Sequence, residues 1–254
     1  MMNSIMDFIE EESENFQVND CGILPSFHSC EAYVGMKIIK AGKLQPRQCD
    51  VMNKKVTYFF YGKPSYIVAE KFPNKKELSY LPVCFIVDTT KIPIYKAYPF
   101  DTGGFAAGLY SGIFHRDVDL NSYEIDNNIL SIRKYVSVMF ENNINYINGN
   151  VVSREARNMD IYSLSKLITS EGDIRFDERA NTIELSTEKE TELSTSLKCI
   201  IMPKNLLRDK EIKKFLSDNE KIDCITYNYR NLTKAEIYHE TVFRLAMKYM
   251  GVEV

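Results

Sequence analysis

Three short segments of the chain carry side chains that could bind and activate a small ligand. The first places His28 and Ser29 at the end of an apolar stretch, and the second is the aromatic run Tyr58–Tyr61. The third carries Glu184 between apolar neighbours late in the chain. A histidine can hydrogen-bond a ribose or phosphate, an aromatic ring can stack on a planar base, and a carboxylate can stabilise a developing cation. Together the three segments predict a nucleotide pocket.

Each of these residues also has a purely structural interpretation. His28 could be held by backbone groups alone, and strand alternation sends Tyr58 and Phe60 to one face, so that either face of the run could be core. A strand glutamate such as Glu184 points to solvent or lines a pocket. Glu178 is the competing acid, and a salt bridge with Arg179 in a turn would be enough to explain it.

Other motifs carry less chemistry. Asp101–Gly103 has the form of the aspartic-protease triplet, but a protease needs two such carboxylates and the chain has one copy. Gly103, Gly104 and Gly108 do not match the dinucleotide fingerprint and predict a loop bordering a pocket. The spacings within the group Cys21, His28, Cys30 and Cys49 match no common zinc framework, so we expect no metal.

The elements that must position these groups follow from apolar patterning. Leu24–Cys30 predicts a strand, and Glu31–Lys40 has helical spacing and ends before Gly42, where a helix C-terminal glycine is expected. Val56–Tyr61 predicts a second strand. Leu81–Val87 is apolar on both faces, which predicts a central strand.

Later segments continue to alternate between helix and strand patterns, which indicates an α+β fold in a single domain. The further predicted helices are Ile129–Asn142, Ile161–Ile168, Lys204–Asn219 and Lys234–Met250, and the further predicted strands are Asn181–Ser186, Leu197–Met202 and Ile222–Tyr227. Residues 1–18 are acidic and polar and form a helical or loose arm in this interpretation.

Composition sets the broad class. The 254 residues are 44% hydrophobic and 26% charged, as in ordinary globular proteins, and the net charge of -3 provides no general basic field for nucleic acid. The N-terminus is acidic and lacks the apolar core of a signal peptide, and no apolar run approaches the length of a membrane span. Six cysteines without a CxxC pair favour a reducing cytoplasm.

The order of these blocks resembles the ADP-ribosyltransferase superfamily. Phe27–Ser29 followed by Ile38–Leu44 is similar to its first block, in which a strand ending in His or Arg precedes a helix and a Gly-containing turn. Tyr58–Tyr61 is similar to the aromatic second block. Thr182–Leu185, followed by the strand at Leu197–Met202, is similar to the late strand that carries the catalytic glutamate.

The resemblance implies a mixed, split β-sheet core over residues 24–203, flanked by helices, with residues 204–254 as a C-terminal addition. It implies NAD as substrate and cleavage of the nicotinamide–ribose bond through an oxocarbenium-like state. The members that the chain most resembles are bacterial toxins and defence proteins, including DNA-targeting ones. We therefore expect an antitoxin or defence-system partner and no membrane partner.

The resemblance also assigns roles to residues. Glu184, or Glu178 in its place, would stabilise the cation, His28 would hydrogen-bond the adenosine ribose, and Tyr61 or its neighbours would stack on nicotinamide. Arg47 and Lys63 would pair with the pyrophosphate by charge. The expected cofactor-binding residues are His28, Ser29, Tyr58, Tyr61, Arg47 and Lys63.

The acceptor of ADP-ribose stays open. Position 182 is Thr, where arginine-modifying members carry Glu or Gln, which weakens a protein-arginine acceptor and leaves nucleic acid, another protein group, a small molecule or water. Two other functions compete. One is a non-catalytic nucleotide- or partner-binding module on the same fold, and the other is nucleic-acid binding through the Tyr58–Tyr61 strand.

Overall fold

The computed structural model of the chain describes residues 4–13, 21–65, 77–152, 159–169, 178–230, 235 and 237–253. In this part of the chain the strands are β1 (Ser26–Glu31), β2 (Lys43–Leu44), β3 (Arg47–Cys49), β4 (Lys54–Tyr61), β5 (Pro82–Val87), β6 (Lys96–Tyr98), β7 (Glu184–Thr187), β8 (Thr191–Glu192), β9 (Leu197–Pro203) and β10 (Asp223–Tyr227). The α-helices are α1 (Ile5–Ser13), α2 (Ala32–Ala41), α3 (Thr102–Ala106), α4 (Ile129–Phe140), α5 (Asn143–Ile147), α6 (Met159–Ile168), α7 (Leu193–Ser196), α8 (Lys210–Asp218) and α9 (Ile237–Tyr249). The protein is therefore a mixed α/β structure.

A mixed sheet organises these elements. Seven strands follow the order β10–β9–β5–β1–β4–β7–β6, and β3 pairs with β4 outside that path. The β9–β10 pair is parallel, and the other pairs along this path are antiparallel. Strand β5 lies between β9 and β1 and is buried along its whole length, which confirms the central position predicted for Leu81–Val87.

The pairing between β1 and β4 is short, and this creates an opening in the sheet. Its register joins Ser26 to Tyr61 and Phe27 to Phe60. Beyond that point β1 continues along β5 as far as Glu31, whereas the first half of β4 has β3 and β7 as its neighbours. The two strands therefore part after Phe27, next to the histidine singled out from the sequence.

Helix α2 packs closely on the strands beside this opening. It ends at Gly42 as predicted, with φ at 70° and the Gly42 N–H donating to the Ile39 carbonyl at 3.1 Å. Within the helix, a Cβ on Gly35 would lie 2.9 Å from the Val83 Cβ on β5. The glycine lets α2 approach the sheet, and this close packing offsets a helix-propensity cost of roughly 1 kcal/mol.

Two predicted segments differ from the structure for the same local reason, a capping aspartate. The predicted loop at residues 103–108 begins instead with α3, because the Asp101 side chain accepts from the Gly103 N–H at 3.0 Å. The single helix predicted over 204–219 is a 3-10 turn at Lys204–Arg208 followed by α8, because Asp209 caps a new helix at Glu211 and Ile212.

The acidic N-terminal segment contains helix α1. Its apolar side chains Ile5, Phe8 and Ile9 are buried, and Lys134 of α4 forms a 2.6 Å ion pair with Glu10. Residues 1–3 and 14–18 of the predicted arm lie outside the described residues. The described part of the arm is thus docked by an amphipathic helix whose apolar face is buried and whose Glu10 pairs with a basic side chain.

Candidate ligand pocket

A pocket of about 560 Å³ lies where β1 and β4 part. It is lined by the end of β1, by α2, β2 and β3, and by the first half of β4. This volume falls in the range of small-molecule sites. Four of the predicted cofactor-binding residues line it, namely His28, Ser29, Arg47 and Tyr58.

His28 is held in one orientation by the neighbouring strand. Its Nδ1 lies 2.9 Å from the backbone carbonyl oxygen of Tyr58, and its ring makes an edge contact with Phe59 at 5.8 Å between centroids. A carbonyl can only accept, so Nδ1 carries the proton. Burial lowers the pKa of His28, and the Arg47 charge adds to this effect, although the bond to Tyr58 opposes it. The neutral ring therefore leaves Nε2 as a hydrogen-bond acceptor on a residue that lines the pocket.

Tyr58 is the half-buried aromatic residue of the pocket wall. Its hydroxyl lies 2.6 Å from the thiol of Cys49 on β3, another lining residue. Burial raises the pKa of Tyr58, and the bond to Cys49 and the charge of Glu184 add to the shift. The phenol therefore keeps its proton, and the hydroxyl side of the ring faces the region of Glu184.

Glu184 lies on β7 behind this wall. It pairs with Phe60 of β4 on one side and with Tyr98 of β6 on the other, and it is only 3% exposed. The Thr102 hydroxyl donates to its Oε1 at 2.6 Å. Burial raises the pKa of Glu184 well above its usual range, and the nearby Asp101 charge raises it further. Glu184 is not among the residues that line the pocket, and Thr102, which also interacts with the Tyr58 side chain, connects the two.

Asp101 anchors this buried acid cluster, and sequence reasoning missed its role. One carboxylate oxygen caps α3, and the other lies 3.2 Å from the Arg179 guanidinium. The Asp101 N–H also donates to the Arg179 carbonyl oxygen at 3.0 Å. The sequence suggested that Arg179 pairs with Glu178, and the described contacts show an ion pair of Arg179 with Asp101. The capping pattern of an aspartate before Thr-Gly was the available signal.

Tyr61 and Lys63 lie away from the pocket, so the structure does not bring together all six predicted cofactor residues. Tyr61 is fully buried, and its hydroxyl accepts from the Leu24 N–H at 2.9 Å. Lys63 is 1% exposed and donates to the Ile147 carbonyl at 3.2 Å and to the Asn181 side-chain oxygen at 2.8 Å. Neither side chain lines the pocket, because both are used inside the fold.

Glu178, the alternative catalytic acid, lies on the Lys63 side of the molecule. It begins the 3-10 turn Glu178–Asn181, its side chain is 51% exposed, and its carboxylate is 3.9 Å from the Lys63 ammonium. Its backbone carbonyl accepts from the hydroxyl of Thr182, which is fully buried and also accepts from Ser65 at 2.8 Å. Of the two acids, Glu184 is therefore the one connected to the pocket wall, and Thr182 serves the fold.

Comparison with known proteins assigns the chain to no family. A scan against protein-family models finds no match, and searches of curated proteins and of solved structures likewise find none. Within the described ranges, no helix is long and apolar enough to cross a membrane, and no group of three or more His, Cys, Asp or Glu side chains could hold a metal ion.

Proposed function

We propose that the chain is an NAD-consuming enzyme of the ADP-ribosyltransferase type. The observation that carries the proposal is the placement of three blocks that are distant in sequence. His28, Tyr58 and Glu184 lie on β1, β4 and β7, which are adjacent strands in that order. His28 is bonded to the Tyr58 backbone, and Thr102 connects Tyr58 to Glu184.

The pocket chemistry supports a nucleotide ligand. The Nε2 atom of neutral His28 accepts from a ribose hydroxyl, and Tyr58 offers an aromatic ring for nicotinamide. Arg47 on β3 lines the same pocket with an exposed guanidinium that suits a pyrophosphate. On this proposal, cleavage breaks the bond between nicotinamide and ribose, and the electron pair of that bond leaves with nicotinamide.

Glu184 supplies the negative charge for the ribose cation on this proposal. In the free protein its carboxyl group is buried and bonded to Thr102, and its raised pKa favours the protonated form. The strand registers place Glu184 on the same face of the sheet as Tyr58 and on the opposite face from His28. Catalysis therefore requires the carboxyl group to lose its proton, to leave Thr102 and to reach the nicotinamide ribose on the Tyr58 side of the pocket when NAD binds. We expect the turnover rate to rise with pH through the raised pKa of this group.

One observation favours a second function, a non-catalytic nucleotide-binding module. Glu184 is buried and bonded in the free protein and does not line the pocket. A module of this kind binds NAD or ADP-ribose and releases no nicotinamide. Nucleic-acid binding by the aromatic strand has less support, because Phe59 and Tyr61 are fully buried and Tyr58 is half-buried.

The test is NAD binding by calorimetry together with nicotinamide release by chromatography, with and without DNA, RNA and protein acceptors. The wild type should bind NAD and release nicotinamide. His28→Asn keeps a donor for the Tyr58 carbonyl and lacks the second ring nitrogen, so it should bind NAD about tenfold more weakly, measured at a temperature where the variant is fully folded. A wild type that binds NAD without release would favour the module, and no binding at all would contradict both.

A further inference from the structure

Thr57 is a pocket-lining residue whose buried hydroxyl group has no partner among the described residues. The residue lines the pocket next to Tyr58 and is 5% exposed. Its Oγ1 has no hydrogen-bond partner among the described residues. Buried hydroxyl groups are normally paired, because leaving one unpaired costs stability.

The sheet geometry explains why no neighbouring residue satisfies this hydroxyl. Thr57 lies in β4 opposite Thr187 of β7, but no hydrogen bond joins the two hydroxyl groups, and Thr187 instead accepts from the Lys189 N–H at 3.2 Å. On the other side, β1 has already parted from β4, and the pocket takes its place. A valine would fill the same strand position with the same shape and no unpaired group.

Thr57 also shares a side of the strand with the histidine end of the pocket. Alternation puts Thr57 on the same face of β4 as Phe59, and the His28 ring packs against Phe59. The neutral His28 ring presents an acceptor nitrogen, whereas a threonine hydroxyl can both donate and accept. Two such groups on one face suit a ligand with two neighbouring hydroxyl groups.

We propose that Thr57 is a specificity-determining residue that, together with His28, hydrogen-bonds the vicinal diol of the adenosine ribose. This inference rests on the proposed NAD-binding function and names the part of NAD that Thr57 and His28 bind. The site then selects ribonucleotides over deoxyribonucleotides, because a ligand without the hydroxyl leaves a buried group unpaired. On this proposal, the hydroxyl that is unpaired in the free protein forms its hydrogen bond with the bound ligand.

The experiment compares Thr57→Val with Thr57→Ser in the full chain. Melting temperature is measured without ligand, and affinity is measured by calorimetry for ADP-ribose and for the same molecule without its adenosine 2′-hydroxyl. Thr57→Val should melt no lower than the wild type and bind ADP-ribose about tenfold more weakly. It should also lose most of the preference for ADP-ribose over the deoxy analogue, whereas Thr57→Ser should keep the wild-type affinity within about threefold.

The possible results separate this inference from the proposed function. If the wild type binds ADP-ribose and Thr57→Val binds it equally well, the inference is wrong and the proposed function stands. A clear fall in the melting temperature of Thr57→Val would show that the hydroxyl is paired within the protein, which also overturns the inference. If the wild type binds neither NAD nor ADP-ribose, both the proposed function and the inference fall.

Discussion

The aromatic run Tyr58–Tyr61 of β4 has different surroundings at its two ends. At the first end, Thr57 and Tyr58 line a pocket, and the Thr57 hydroxyl has no hydrogen-bond partner among the described residues. At the other end, Tyr61 and Lys63 are buried, and the polar atoms of their side chains bond within the fold. The Tyr146 hydroxyl completes that end by donating to the Tyr61 carbonyl at 2.7 Å and accepting from the Ile183 N–H at 3.0 Å.

The side chains of one aromatic strand can therefore stabilise the fold at one end and border a pocket at the other. Where β4 has a partner strand or a loop on every side, its polar groups contribute to stability. Where β1 parts from β4, residues of the same types border the pocket and, among the described strands, have no partner on that side. We therefore expect substitutions at the buried end to change the free energy of unfolding, and substitutions at the pocket end to change ligand affinity.

The largest stability effect should come from Gly62→Ala at the buried end. Gly62 has φ at 79°, and a Cβ there would lie 2.7 Å from the Tyr146 ring and 2.8 Å from Leu24. Strain and overpacking together should lower the free energy of unfolding by about 3 kcal/mol in urea denaturation. Gly42→Ala beside the pocket is the matched control, with φ at 70° and open space around the added methyl group, and should cost about 1 kcal/mol. Equal costs at the two glycines would mean that the buried end is not tightly packed.

A smaller difference in the free energy of unfolding is expected between substitutions at two tyrosines. Tyr146→Phe leaves a buried carbonyl and a buried N–H unpaired and should cost about 2 kcal/mol in the same denaturation assay. Tyr58→Phe loses a bond to a thiol, which is a weak partner, and the interaction with Thr102, and should cost less than about 1 kcal/mol. It should also lower nicotinamide release, because Thr102 is the link between Tyr58 and Glu184. The comparison fails if Tyr58→Phe is the less stable variant.

The most gradual effect should be the pH dependence of stability, which has opposite signs at two buried groups. The folded-state pKa of Glu184 is raised by burial, so its contribution to stability is present below the usual value of 4.5 and is lost as pH rises through the folded-state pKa. Burial lowers the pKa of Lys63 from 10.5 to about 8, so its cost is present below pH 8 and is relieved as pH rises towards 10.5.

Denaturation across pH measures both slopes. Relative to the wild type, Glu184→Gln should gain stability as pH rises, because the amide can accept from Thr102 without burying a charge. Lys63→Met should lack the wild-type gain between about pH 8 and 10.5. Parallel curves for the wild type and Glu184→Gln at all pH values would show that the carboxyl group is not held in a buried state.

The sequence pattern predicted the helices and strands with a strong apolar periodicity and missed short strands that depend on pairing with another strand. Strand β5 and the Gly42 helix end follow from apolar runs and a glycine, whereas β3 and β6 have three residues each, too few to show a period. Strand β6 pairs with β7, which lies far along the chain, whereas β3 pairs with β4 directly after it across a short turn.

The same limit applies to the site. The sequence pointed to His28, Tyr58 and Glu184, which lie on three adjacent strands in the structure. It could not show that Lys63, next to a turn glycine, is buried, because its acceptors lie 84 and 118 positions away. Thr102 was likewise missed, since its bond to Glu184 spans 82 positions.

The most direct test of the account is the rate of nicotinamide release from NAD by the wild type, Glu184→Gln and Glu178→Gln, measured side by side on folded protein. Glu184→Gln should lose activity by about a hundredfold or more, since it removes the charge that stabilises the ribose cation. Glu178→Gln should keep activity within about threefold of the wild type, because this surface acid lies beside Lys63 and away from the pocket. Loss of activity in Glu178→Gln with full activity in Glu184→Gln would contradict the account.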